Sequence, residues 1–117
     1  MPSDNFKILA QARCSSLTAG AAGNAFLDVA DSHEAIIKGI SVVNTDTGTA
    51  RWFQGFVTTG TTYDDTTAIT PQITIPAGGM AIFSGTITLA ADNKLAWDVS
   101  IVDKITITVF GDEIDIS

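Results

Sequence analysis

The chain contains a single histidine, His33, set in Asp31-Ser-His-Glu34. An imidazole beside a hydroxyl and a carboxylate is raw material for nucleophilic catalysis, with Ser32 as nucleophile and His33 as its base. Four consecutive residues of one turn do not converge on a common point, however, and no Gly-x-Ser-x-Gly elbow is present. The motif is read as a polar turn, and no catalytic residue is assigned. One cysteine, Cys14, and one histidine cannot complete a four-ligand structural zinc site. Calcium needs only oxygen ligands, which Asp28, Asp31 and Glu34, or Asp64 with Asp65, offer in principle. Neither group follows the EF-hand spacing, so both are read as solvated loop charges, and no metal or cofactor is expected. Two acids can also flank a glycosidic bond, but nothing marks a sugar-sized cleft. Gly20/Gly23 and Gly78/Gly79 fit no phosphate-binding pattern and are read as turns. Trp52, Trp97 and Tyr63 form the one candidate ligand platform, for stacking on sugar. Trp97 lies on the apolar face of its segment and is expected in the core.

The elements that hold these residues are strands. In Lys104–Phe110, Ile105, Ile107 and Val109 alternate with Thr106 and Thr108. In Leu95–Ile101, Leu95, Trp97, Val99 and Ile101 share a face opposite Asp98 and Ser100. Both segments have the period of two of a half-buried strand. Ile36–Val43 places Ile36, Ile40 and Val42 on one face and Ile37 and Val43 on the other. Arg51–Thr58 sets Trp52 and Phe56 against Phe53 and Val57, so it is apolar on both faces. Such strands are central, or are covered by a partner. Further strands are expected at Ile8–Cys14, Ala25–Val29, Ile69–Ile75 and Met80–Leu89, the last broken at Gly85. Asn44-Thr-Asp-Thr-Gly48 predicts a hairpin between the third and fourth strands. Pro76–Gly79 and Ala91–Asn93 are turns, Ser15–Gly23 is a loop, and Gly111-Asp112 bends the chain before a short Ile114/Ile116 alternation. About eight short strands with polar turns predict an all-β, single β-sandwich domain over residues 1–117. Its antiparallel strands, even in number, favour a jelly-roll-like arrangement over an immunoglobulin-like one.

Composition agrees with that class. Among 117 residues, 45% are hydrophobic and only 16% charged, against about 25% charged in an average domain. This excludes a disordered tail and a coiled coil. Six basic and thirteen acidic side chains give a net charge of −7. Such a surface repels phosphate backbones and anionic lipid, so neither nucleic acid nor membrane is an expected partner. The lone Cys14 forbids an intramolecular disulfide and points to assembly in a reducing cytoplasm.

Three motifs carry a resemblance. Ile40-Ser-Val-Val-Asn-Thr-Asp46, Ile75-Pro-Ala-Gly-Gly-Met-Ala-Ile-Phe83 and Leu89-Ala-Ala-Asp-Asn-Lys-Leu95 follow one another in order and spacing. From Ile36 to Val109 the chain resembles the small β-sandwich virion proteins of tailed bacteriophages, although Ala91 stands where those families carry glycine. The resemblance implies a non-enzymatic structural protein, with capsid decoration (a cement role) preferred. It implies a major capsid protein as partner, a homo-oligomer (a trimer above all), and a place on the capsid surface of a virion assembled in the host cytoplasm. The alternatives are a head–tail junction or tail component, and a carbohydrate-binding β-sandwich module. The expected contact surfaces are the segment 1–14, an interface strand or arm with Phe6 and Ile8, and the two-sided strand with Arg51, Phe53, Phe56 and Val57.

Overall fold

A computed structural model describes residues 7–19, 25–29, 33–60 and 62–115. These described residues form eight strands: β1 (Lys7–Arg13), β2 (Ala25–Asp28), β3 (His33–Asn44), β4 (Arg51–Thr58), β5 (Ile73–Ile75), β6 (Met80–Leu89), β7 (Lys94–Val99) and β8 (Ile105–Asp115). They form two four-stranded sheets, β1-β8-β3-β6 (sheet A) and β2-β7-β4-β5 (sheet B), and every pairing is antiparallel. The fold is all-β and sandwich-like, as expected. The pairs β1·β8, β2·β7, β3·β6 and β4·β5 are nested about the middle of the chain.

The alternating apolar residues supply the core between the sheets. Rows run across sheet A in register: Ala12, Ile107, Val42 and Ala81, then Ala10, Val109, Ile40 and Phe83. Sheet B answers with Phe53, Val99, Trp97 and Leu95. Trp97 and Phe53 are fully buried, and the Phe53 ring stands 5.7 Å from that of Trp97 and 5.8 Å from that of Phe83. Cys14 also lies in this core, where burial pushes its thiol up to about 12.

Four local expectations are corrected. First, Asn44–Gly48 does not close a hairpin. β3 and β4 belong to different sheets, and the segment is a crossover between them. Second, Ile36 does not share a face with Ile40 and Val42: Ile37 takes the buried position instead. The cause is a line of bulges across sheet A, where Leu9, Lys38 and the Gly85–Thr86 step of β6 each interrupt the register beside Phe110. One extra residue inverts the in–out alternation beyond it. Third, β6 runs through Gly85, and β8 runs through Gly111 without the bend expected there. Fourth, β5 is confined to Ile73–Ile75, with Ala68 making only an isolated bridge to Phe56. Ile116 lies outside the described residues, as do Gly20–Gly23 of the 15–23 loop.

One end of the sandwich is knitted by side-chain hydrogen bonds. Asn44, fully buried, donates its amide to the carbonyls of Thr49 (3.0 Å), Ile75 (3.1 Å) and Pro76 (3.2 Å). Its Oδ1 accepts from the Asp46 backbone N–H at 3.0 Å. Asp46 in turn accepts from Gly48 N–H (3.0 Å) and from the Arg51 guanidinium (2.8 and 3.0 Å). Those contacts hold its carboxyl below the usual range, the Gly48 N–H first and Arg51 second. Thr45 joins a third loop through Lys104 O, 2.8 Å from its hydroxyl.

Candidate interaction surface

The two outer faces differ. Over sheet B the chain folds back on itself. Val57 N–H donates to Thr67 O at 3.0 Å, Ile69 N–H to Gly55 O at 2.9 Å, and Gln54 Nε2 to Thr70 O at 3.1 Å. Tyr63 sets its ring edge-on against Phe56, with centroids 6.2 Å apart. At the other side of the sheet, Val99 N–H donates to Leu17 O at 2.9 Å, and Ala19 N–H to Asp98 Oδ1 at 2.6 Å. Phe56 and Ala96 are therefore buried on the outside of sheet B, beyond the core between the sheets.

Sheet A has no such cover among the described residues. The registers put three rows on its outer face: Arg13, Thr106, Val43 and Met80; Gln11, Thr108, Ser41 and Ile82; Ile8, Phe110, Gly39 and Ser84. Gln11 Nε2 donates to Thr108 Oγ1 at 2.9 Å, which fixes the middle row. Phe110 lies over Gly39, where any Cβ would meet its ring. Ile82 is 63% exposed, Ile8 57% and Met80 54%. Only Arg13 is charged among these positions, on a molecule of net charge −7. Beyond the rows, Lys38 and Lys7 are neutralised by Asp112 (3.1 Å) and Glu113 (3.3 Å). A face with a single charge and exposed aliphatic side chains has the composition of an interface core.

The expected contact residues are thus redistributed. Ile8 stands on this face. Phe53 and Phe56 are 0% and 2% exposed, and neither can meet a partner without unfolding. The apolar character of β4 on both sides is consumed within the molecule, by the core on one side and Tyr63 on the other. Val57 packs against the core, and Arg51 is engaged with Asp46. Phe6 lies outside the described residues. Sequence reasoning missed Met80 and Ile82. The available signal was β6 itself, ten residues without one charge or proline.

Among the described residues, the chemical candidates are not grouped as metal ligands. His33 opens β3 opposite Asp115, and Glu34 is opposite Ile114. Asp28 ends β2 opposite Lys94, while Asp31 and Ser32 lie outside the described residues. Asp64 accepts from the Thr66 hydroxyl (2.6 Å) and N–H (2.9 Å), which lower its carboxyl below the usual range and fold the loop locally. Trp97 is buried and Tyr63 is turned onto Phe56, so the three aromatics do not form one platform. No family model matches the chain, and no curated protein matches it.

Proposed function

We propose that this protein is a non-enzymatic structural component of a tailed-phage particle that decorates the capsid and docks on its shell through the outer face of sheet A. The observation that carries the reading is the contrast between the faces: sheet B is covered by the chain's own loops, while sheet A presents Ile8, Ile82 and Met80 to solvent. Two of the motifs behind the family resemblance are also in contact, since Gly78 N–H donates to Asp46 O and Asn44 N–H to Gly79 O, both at 2.9 Å. The nested strand pairing supports a jelly-roll reading of the sandwich. The partner in this reading is the major capsid protein. Binding only the assembled lattice stabilises it by mass action, as any ligand stabilises the state it recognises. Several copies bridging neighbouring subunits act together, because the shell opens only when many contacts fail at once.

Immunogold labelling of purified particles, viewed in negative stain, tests the placement. Gold distributed over the heads is expected. Gold confined to neck or tail would keep the protein in the virion and end the cement reading. Unlabelled particles, with the epitope shown accessible, would overturn the assignment altogether.

A further inference from the structure

The cations around sheet A are not held alike. Lys38 meets Asp112 at 3.1 Å and Lys7 meets Glu113 at 3.3 Å. Arg51 grips Asp46 through two hydrogen bonds of 2.8 and 3.0 Å. Arg13 is different. Its ion pair with Asp103 runs from Nε to Oδ1 at 3.8 Å, too long for a hydrogen bond. The Arg13 side chain is 63% exposed and that of Asp103 53%. So long and wet a pair leaves the planar guanidinium fork open to a second partner.

Arg13 also stands where a partner would meet it. It occupies a corner of the outer face of sheet A, in one row with Thr106, Val43 and Met80, and no other charge lies in the three rows. Those rows measure about 14 Å across the strands and about 13 Å along them, a patch of roughly 200 Å². A stable contact needs ~800 Å² per partner. Docking on this face therefore covers the patch to its corners, Arg13 included.

We propose that Arg13 sets the specificity of docking: its guanidinium pairs with a carboxylate on the capsid surface, in a contact that is otherwise uncharged. This rests on the docking reading above and names the chemistry of the partner. Covering a guanidinium without a partner is unfavourable, because its hydration is lost and nothing replaces it. The fork matches a carboxylate in two parallel hydrogen bonds, which a lysine could not make. Phosphate is the other anion that fits the fork, but a chain of net charge −7 repels polyanions. A carboxylate of a protein surface meets the same geometry without that penalty.

The test is binding of the purified full chain to particles lacking it, by co-sedimentation over a range of protein concentrations at low and high salt. Circular dichroism confirms that each variant is folded. Arg13→Ala is expected to weaken binding about tenfold at low salt, and Arg13→Glu by more. The gap between wild type and Arg13→Ala narrows as salt rises, since a pair at the margin of the contact is screened. Arg13→Lys keeps the charge without the fork and binds with intermediate affinity. Asp103→Asn is tolerated at its left-handed φ of +62° and binds at least as tightly as wild type, because it frees the fork. Arg13→Glu binding as well as wild type would overturn the inference alone. So would a deficit in Arg13→Ala that salt leaves unchanged, or a loss in Asp103→Asn equal to that in Arg13→Ala. Wild-type protein that stays in the supernatant would bring down the docking reading, and this inference with it.

Discussion

Asn44 shows how one side chain can tie together segments far apart in sequence. Its amide reaches the carbonyls of Thr49, Ile75 and Pro76, so the β3–β4 crossover is bound to the chain leaving β5. The Ile75 bond is buried, so removing the amide strips a donor from a carbonyl that water does not reach, while Pro76 O keeps the Gly79 N–H. Asn44→Ala is therefore expected to cost about 3 kcal/mol, read as a lowered urea midpoint at every pH where the protein folds. Asp46 behaves differently because it titrates. Its carboxyl is held below its ordinary value by Gly48 and Arg51. The stabilisation is present above the unfolded carboxylate range and is lost as pH falls through the lower folded value. Asp46→Asn should thus lower the midpoint at neutral pH, and the wild-type and variant curves should converge in acid. A pH-independent gap would assign the loss to packing instead. The turn chemistry of Asn44 and Asp46 was readable in the sequence. Their partners around Ile75 and Pro76 were not, because side-chain type does not encode which distant loop lies beside it.

Strands differ in how openly they declare themselves. β8 was readable because Ile105, Ile107 and Val109 alternate with Thr106 and Thr108, and all three apolar residues are fully buried. β3 misled where Lys38 is inserted, since a bulge shifts the phase of a period-two pattern without altering its composition. The hairpin expected at Asn44–Gly48 failed for another reason: a tight polar turn does not specify whether its strands stay in one sheet. β4 is central, between β7 and β5, as its two apolar faces allow; only the reading of it as a contact surface fails, because Tyr63 lies on Phe56 and Ala68 bridges to it. The bulge line gives its own test through two glycines. A methyl on Gly111 would meet the backbone carbonyl of Ile36, which cannot yield without breaking the sheet. Gly85 has open space but a φ of +138°, so its cost is conformational only. Gly111→Ala is expected to destabilise by about 2–3 kcal/mol and Gly85→Ala by about 1, measured by chemical denaturation. The reverse order would mean that the register around Phe110 is wrong.

At the scale of the whole molecule, the distribution of charge and cover decides which face works. The molecule is acidic overall, yet the outer face of sheet A bears one charged residue in its three central rows and exposes Ile8, Met80 and Ile82. Composition disclosed the acidity but not this segregation, which depends on strand order. Ile8 could be named in advance from its place on an edge strand. Met80 and Ile82 became visible only when β6 was found beside β3 with no described strand beyond it. Co-sedimentation of purified protein with particles lacking it tests the central claim most directly. Wild type and Asp65→Lys, which alters the exposed loop over sheet B, should pellet with the particles. Thr108→Lys, shown by circular dichroism to be folded, should remain in the supernatant. Equal pelleting of Thr108→Lys and wild type would contradict the assignment of the outer face of sheet A as the docking surface.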